Sequence, residues 1–534
     1  MPYPTVPNPI LDKPVFQSLF NFEQNQRPVS VINAMVKAYL DSRWDRVQQK
    51  SERSDQFQAE TLQTLLSKGR ETLFGADHGF ENIRDYDQFR RQVPIRTYES
   101  LFPYIERSLN GVRNVLWPGT VRWFAKSSGT TNDRSKFIPV TRESLDECHY
   151  KGGRDALTCY NAWQPEHTLF EGKSLVLSGS VHTAADSPYQ AGDISAVLLE
   201  NMPWWMHYFR APSKEIALMG NWEEKLDRLA EAIIPEDITF LSGVPSWMLV
   251  LLKRVLELEG KSHLHEVWPN LQLFIHGAVN FAPYRPLYQN LLAGKEIHYL
   301  ETYNASEGFF ALQDREKTSD MLLMTDYGVY FEFVPLNKLD EPEAHAIPLE
   351  AVEVGKSYAL VITTNAGLWR YLIGDTVEFT SLRPYHIRIV GRTKHFINAF
   401  GEELMVENAE NALAIACKRC NVSVREFTVA PIFQSAHQPG KHEWLIEFEE
   451  SPGDLAHFTE QLDTELRKIN ADYDAKRTGN FAMALPLVHA VEKGIFYRWM
   501  SSRGKVGAQH KVPRLSNDRI WLEQILALRS CTGK

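Results

Sequence analysis

Three stretches of this 534-residue chain have residue types and spacings that chemistry can use. In the first, residues 125–139, Ser127, Ser128, Thr130 and Thr131 surround Gly129, and Lys126, Arg134 and Lys136 add three cations. Glycine lets backbone N–H groups approach an anion, hydroxyls donate to it and cations neutralise it, so such a loop suits a polyphosphate. It is not a Walker A loop, because no second glycine precedes Lys136 and Phe137 follows that lysine. By composition alone the same stretch also reads as a surface turn. The second stretch, Tyr299-Leu300-Glu301-Thr302-Tyr303-Asn304-Ala305-Ser306-Glu307-Gly308, gathers rings, hydroxyls and carboxylates just after strand-like residues 296–300, and reads equally as an exposed turn. The third follows the β-branched run 358–364 and passes through Trp369-Arg370-Tyr371-Leu372-Ile373 to Gly374-Asp375, a dipeptide that is also ordinary turn chemistry. Residues 201–210, with Trp204, Trp205, Tyr208 and Phe209, form the most aromatic window. It reads as a core or lid segment, or as the wall of an apolar pocket. His276 and His298 have no ligand-spaced partners and read as packed or supporting histidines rather than metal ligands.

The elements that must position these residues alternate between helix and strand, which argues for an α/β fold. Residues 174–180 and 271–277 each read as a buried strand running into a small-residue turn, the place where open α/β sheets bind ligands. Upstream, residues 30–74 read as helices, with Leu62, Leu65, Leu66 and Leu73 on one face and a stop at Gly75. Residues 80–110 read as short helices joined by Pro94 and Pro103, and residues 241–252 as a turn leading into an apolar helix. The segment Gly391-Arg392-Thr393-Lys394 follows strand-like residues 387–390, and we place a domain boundary there. Residues 1–390 then form a large unit, and residues 391–534 a smaller, mobile α/β unit. In the latter we expect a helix bearing Phe458, Leu462, Leu466 and Ile469, and strands near 427–432 and 443–448.

Length predicts two or more cores. A hydrophobic content of 43%, a charged content of 23% and a net charge of -9 give no sign of nucleic acid or an acidic membrane as partner. Residues 1–16 lack a basic segment followed by an apolar one, so no secretory signal is read there. The apolar run 247–252 stops at Lys253 and Arg254, well short of a membrane span. Five cysteines do not make a disulfide framework, and Cys417 and Cys420, lacking a second pair, read as thiols on a helix. These features together predict a cytoplasmic protein.

Near the C-terminus lies a basic stretch containing Gln509-His510-Lys511-Val512-Pro513-Arg514. Taken in order with Ser127-Ser128-Gly129-Thr130-Thr131, Tyr303-Asn304-Ala305-Ser306-Glu307 and Arg370-Tyr371-Leu372-Ile373-Gly374-Asp375, it resembles the adenylate-forming superfamily, and within it the Gretchen Hagen family of acyl acid amido synthetases. The resemblance implies a ligase that uses ATP and Mg²⁺ to convert a small carboxylic acid to an acyl adenylate, then transfers the acyl group to an amine or amino acid. It implies that Ser127, Ser128, Thr130 and Thr131 hold phosphates, that Tyr303 stacks on adenine with Ser306 nearby, and that Asp375 accepts from the ribose hydroxyls. It further implies that Glu307 binds Mg²⁺, that Lys511 reaches the α-phosphate and carboxylate oxygens, and that Arg392 and Lys394 lie at the hinge, Arg392 on the nucleotide side. An acyl-CoA synthetase and a non-catalytic nucleotide-binding protein are the alternatives. Two departures stand out. Plant members carry Arg-Tyr-Arg where this chain has Arg370-Tyr371-Leu372, so one cation near the nucleotide is expected to be missing. Past the hinge, Glu402 and Glu403 replace a lysine-bearing stretch, and are expected either to repel an acceptor's carboxylate or to be an exposed helix start.

Overall fold

The computed structural model describes residues 29–131, 134–182, 187–279, 281, 284–292, 294–339, 341, 345–392, 396–435, 438–480, 482–502 and 512–530. The N-terminal residues read for a signal, the hinge lysine Lys394 and Lys511 lie outside them.

The described chain is mixed α/β, with a large N-terminal part and a smaller C-terminal one. Among the described residues twelve strands form one mixed sheet. In one half Arg210–Ala211, Lys173–Val176, Ile238–Gly243, Leu273–Gly277 and His298–Ala305 run parallel. Parallel neighbours need crossovers, and helices Trp222–Ile233, Pro245–Glu259 and Arg285–Leu292 supply them. These helices bury Leu226, Leu229, Leu249, Leu252 and Tyr288 against Leu241 and Phe274 of the sheet. From Gly308–Leu312 onward the sheet is antiparallel, through Met321–Leu323, Tyr385–Arg392, Tyr371–Leu382, Ser357–Thr364, Val329–Pro335 and Ile347–Pro348.

The C-terminal part has cores of its own. Helix Leu455–Ile469 starts where Asp454 accepts the N–H of His457 at 2.9 Å, a standard N-cap. It places Phe458, Leu462 and Leu466 on one face, all fully buried against strands Val424–Ile432 and Lys441–Phe448. Each such side chain stabilises by at most about 1.5–3 kcal/mol. Helix Val406–Cys420 carries Cys417 and Cys420, both free, as expected. No helix among the described residues is long and apolar enough to cross a membrane.

Several local expectations change. The helix through Leu62, Leu65 and Leu66 ends at Gly69, and Gly75 lies inside the next helix, Leu73–Asp77. Thr72 starts that helix by accepting the N–H of Gly75 at 3.0 Å, and a Cβ on Gly75 would come within 2.1 Å of the Gly69 carbonyl. Glycine is therefore required for close approach, not for a stop. Pro103 is no joint; it sits within helix Tyr98–Leu109, whose buried face of Tyr98, Leu101 and Ile105 outweighs the missing donor. Residues 125–131 are not a loop but the continuation of strand Trp123–Thr131, antiparallel to Arg134–Val140. Trp123, Phe124, Phe137, Ile138 and Val140 are aromatic or β-branched and favour that pairing.

Candidate active site

The parallel strands end in a cleft of about 1900 Å³. Ser178, Gly179 and Ser180 follow the strand Lys173–Val176, Val244 follows Ile238–Gly243, and Ala278 and Val279 follow Leu273–Gly277; all line it. Carboxyl ends of parallel strands present loops and unpaired backbone groups, so this is the face on which such sheets bind ligands.

Tyr303, Asn304, Ser306 and Glu307 line the same cleft. Only the last two of them form a turn. Tyr303 and Asn304 belong to strand His298–Ala305 itself, and Ser306 and Glu307 are the two residues joining it to Gly308–Leu312. Glu307 is buried at that tip, 8% exposed. Asp375, some seventy residues on, arrives from the antiparallel half of the sheet, where the Tyr303 hydroxyl donates to its Oδ2 at 2.5 Å. Both side chains are buried, and the Tyr303 ring packs edge-on to Phe310 at 5.0 Å. Gly374 and Asp375 are not a turn either. They lie within strand Tyr371–Leu382, where the register to Ser357–Thr364 shifts between Ala359 and Val361. A bulge re-aims side chains; here Gly374 takes φ 97°, and Ile373 and Asp375 both reach the cleft. Across the next strand Asp375 pairs with Arg392.

The hairpin of the first motif contributes Lys126, Ser127 and Lys136 to the cleft wall. Ser127 and Lys136 are cross-strand partners, and the Lys136 ammonium donates to the Tyr371 hydroxyl at 3.4 Å. Ser128, Thr130 and Thr131 continue the strand toward a register shift, and Arg392 ends its own strand; the side chains of these four lie outside the described residues.

Arg370 does not face a nucleotide. It is 4% exposed and forks onto Glu332, with Nε at 3.1 and 2.9 Å and Nη2 at 2.8 Å from the carboxylate oxygens, while Nη1 donates to the Arg90 and Val93 carbonyls. Leu372 packs with Val334, Ala359 and Val361 away from the cleft, so its replacement of arginine removes no cation from the site. Glu402 is fully buried, accepting the N–H groups of Ala399 (3.2 Å) and Phe400 (2.6 Å) and bonded to His442 Nε2 at 2.7 Å. It braces a loop and is no exposed helix start, since the helix begins at Val406. Glu403 alone of the two lines the cleft.

The motif residues following Lys511 are firmly held. The Pro513 carbonyl accepts from the Thr428 hydroxyl at 2.7 Å, and the Arg514 carbonyl from the Val429 N–H at 2.9 Å. The Arg514 guanidinium pairs with Glu426 and lies 4.6 Å over the Phe427 ring. The C-terminal part meets the large part at helix Pro245–Glu259 through Ser246, which donates to the Phe400 carbonyl at 2.9 Å, and just before helix Arg285–Leu292 through Tyr284, which donates to that of Ala399.

Two contributors were invisible in the sequence. His149 bonds to Asn304 at 3.1 Å from a buried position that pushes its pKa down to about 4, so it is neutral and fixes that amide. Lys476 of helix Ala471–Arg477 lines the cleft with its ammonium 4.1 Å from the Trp247 ring centroid, its pKa lowered by burial against the pull of Asp472, Asp193, Glu402 and Glu403. Their partners are far away in sequence, so no local pattern marks them. The aromatic window is a 3-10 turn, Trp204–Phe209, with Trp204 and Tyr208 exposed rather than in the core, and Trp204, Met206 and Phe209 on the cleft wall. Among the described residues no three His, Cys, Asp or Glu side chains group into a metal cage. A single buried carboxylate such as Glu307 nonetheless fits Mg²⁺, which is usually held by one or two carboxylates and the substrate's phosphates.

Comparison with known proteins adds to this geometry. Three family models match the chain in succession: the GH3 family N-terminal domain over residues 43–297, its central domain over 322–392 and its C-terminal domain over 407–520. Indole-3-acetic acid-amido synthetase GH3.3 of Arabidopsis thaliana is 23% identical across 86% of this chain and 89% of its own length. Jasmonoyl--L-amino acid synthetase JAR4 of Nicotiana attenuata is 23% identical across 86% of this chain and 90% of its own. The solved structure of GH3.15 acyl acid amido synthetase has the same fold, with a TM-score of 0.58 and 19% identity over 95% of this chain and 97% of that one.

Proposed function

The chain belongs to the GH3 family, and on that premise we propose that it is an ATP-dependent acyl acid amido synthetase. A carboxylate oxygen of a small acid attacks the α-phosphorus of ATP, the bond to pyrophosphate breaks, and an acyl adenylate forms. The nitrogen of an amine or amino acid then attacks the acyl carbon, AMP leaves, and the amide forms with loss of a proton. The amido synthetase names of the relatives support this assignment.

The observation that carries it is convergence. Ser127, Tyr303, Glu307 and Asp375, drawn from three separated motifs, line one cleft at the ligand-binding end of the sheet. Asp375, acceptor-only when ionised, takes the ribose hydroxyls and is held by the Tyr303 hydroxyl, while the Tyr303 ring faces the base. Lys126, Lys136, Ser127 and Ser306, with Ser128, Thr130 and Thr131 by their place in the motif, hold the phosphates. Glu307 holds Mg²⁺, which spreads the phosphate charge. Positioning and charge stabilisation are what phosphoryl chemistry asks of a protein. Lys511 completes the first step from the C-terminal unit, whose boundary we set at 391, with Arg392 at the nucleotide side of the hinge. The free thiols Cys148, Cys159, Cys417 and Cys420 suit a reducing cytoplasm, where we place the enzyme, and its partners are small molecules.

The test is exchange of labelled pyrophosphate into ATP across a panel of carboxylic acids, followed by mass spectrometry of products formed with mixed amines. Acid-dependent exchange and an amide are expected. No exchange with any acid would remove the adenylation step, and a thioester with coenzyme A but no amide would make the protein an acyl-CoA synthetase.

A further inference from the structure

The cleft contains a cation that the adenylation chemistry does not use. Arg210 stands on the edge strand Arg210–Ala211, paired with Ser174, directly after the aromatic turn. It is 5% exposed and lines the cleft. Its Nε and Nη2 are shielded from solvent and have no hydrogen-bond partner among the described residues. Among the described residues the other two buried arginines are treated differently. Arg370 forks onto Glu332, and Arg477 meets Asp463 at 2.7 and 2.9 Å. Among the described residues Glu215 is the one acid whose charge acts on Arg210, and it is exposed and bonded to Ser213 instead. Lys214 is already paired with Glu200 at 2.9 Å.

An enclosed guanidinium without a carboxylate is costly. Burial pushes Arg210 down to about 10, and His207 is lowered by its own burial and by the nearby charges of Arg210 and Lys214. Arg210 therefore stands in a pocket walled by Trp204, Met206 and Phe209, where the nearby acids are either exposed, as Glu215 is, or paired elsewhere, as Glu200 is with Lys214. A guanidinium fork matches a carboxylate with two parallel hydrogen bonds, and a ligand carboxylate would satisfy the shielded donors.

Resting on the adenylation reading, we propose that Arg210 anchors a second carboxylate on the acid, so that the enzyme activates dicarboxylic acids. One carboxylate is adenylated and the other sits on Arg210. The strand of Tyr303 and the strand of Arg210 are four places apart in the sheet, about 19 Å at the usual strand spacing. Arg210 and Tyr303 line the one cleft across that span, which is long enough for the nucleotide's acyl end together with an aromatic or medium-chain diacid whose carboxylates lie at opposite ends.

The experiment compares matched acids on the full chain, benzoate against isophthalate and hexanoate against adipate, by pyrophosphate exchange, with calorimetric binding of isophthalate in the absence of ATP as a readout independent of turnover. Wild-type kcat/KM is expected to favour each diacid by at least about tenfold, mainly through KM, as a charge-assisted bidentate contact allows. Arg210→Met is expected to bring the diacid-to-monoacid ratio near one and to abolish isophthalate binding. Arg210→Lys, which keeps the charge but not the fork, is expected to fall between, and serves if the methionine variant does not fold. Wild-type preference for the monoacids, or a ratio unchanged in either variant, overturns the proposal while leaving adenylation intact. Absence of exchange with every acid strikes instead at the adenylation reading.

Discussion

Replacing Tyr303 with phenylalanine deletes one atom and tests the nucleotide site directly. The ring and its edge contact with Phe310 remain, but the 2.5 Å hydrogen bond to Asp375 is lost. Donor and acceptor are 6% and 7% exposed, so water does not readily replace the hydroxyl. A hydrogen bond to a charged group contributes about 1.5–3 kcal/mol. A carboxylate has about four acceptor positions, and the phenol takes one, setting the orientation in which the others meet the ribose. If that orientation is expressed wholly in nucleotide binding, Tyr303→Phe raises KM for ATP by about 10- to 100-fold, since 1.4 kcal/mol is tenfold. The contact is the same in ground and transition states, so kcat at saturating ATP should change little. Pyrophosphate exchange at varied ATP and saturating acid reads both quantities, with calorimetric ATP binding as a check. A folded variant whose KM for ATP stays within about twofold of wild type would remove Asp375 from the ribose or Tyr303 from its support.

Lys511→Ala should abolish exchange while ATP binding by calorimetry is retained; normal exchange in that variant refutes the lysine's role. Arg370→Met strands the fully buried Glu332 with the Tyr86 hydroxyl at 3.1 Å as a remaining partner, and should cost about 3–5 kcal/mol in denaturant unfolding. Arg370→Met combined with Glu332→Leu should recover part of that loss, and a raised KM for ATP with unchanged stability would show instead that the arginine serves the nucleotide. His149 and His276 are buried, with pKa values pushed down to about 4 and about 3. Between their unfolded pKa near 6.5 and those values the unfolded chain binds protons that the native one refuses. Stability is then full above about pH 6.5 and should fall by several kcal/mol as the pH drops toward 4. Equal denaturation midpoints at pH 7.5 and 5, or an unchanged pH slope in His149→Gln combined with His276→Phe, would contradict this.

The sheet was legible in the sequence where strand signals were local. The β-branched run 358–364 and the apolar run 271–277 became strands because their composition suits a buried pleat. The helix of Phe458, Leu462 and Leu466 announced itself by period. The hydroxyl and glycine motif misled because its local composition resembles a loop, whereas Trp123, Phe124 and Ile138 on either side bury fully and draw it into a hairpin. The role of Arg370 could not be read from its motif, because Glu332 is its neighbour only after folding. Leu372 looked like a lost cation until the strand's alternation turned it toward Val334 and Val361. Cleft residues sharing one strand or turn, such as Tyr303 and Glu307, could be found together; His149 with Asn304 and Lys476 with Trp247 could not, because their pairing exists only in three dimensions.

The ladder pair between Asp375 and Arg392 constrains how the molecule can move. The strand that carries Asp375, the proposed ribose acceptor, is laced to the strand that precedes the C-terminal part. On the proposed mechanism, a turning motion that pivoted at residue 391 itself would have to open this rung beside Asp375, so the pivot is expected just past it. A motion that begins past the last rung leaves the adenylate clamped while the surfaces around it are exchanged. In that mechanism the rung would act as a strain relief, like the clip that keeps a pull on a cable from reaching its connector.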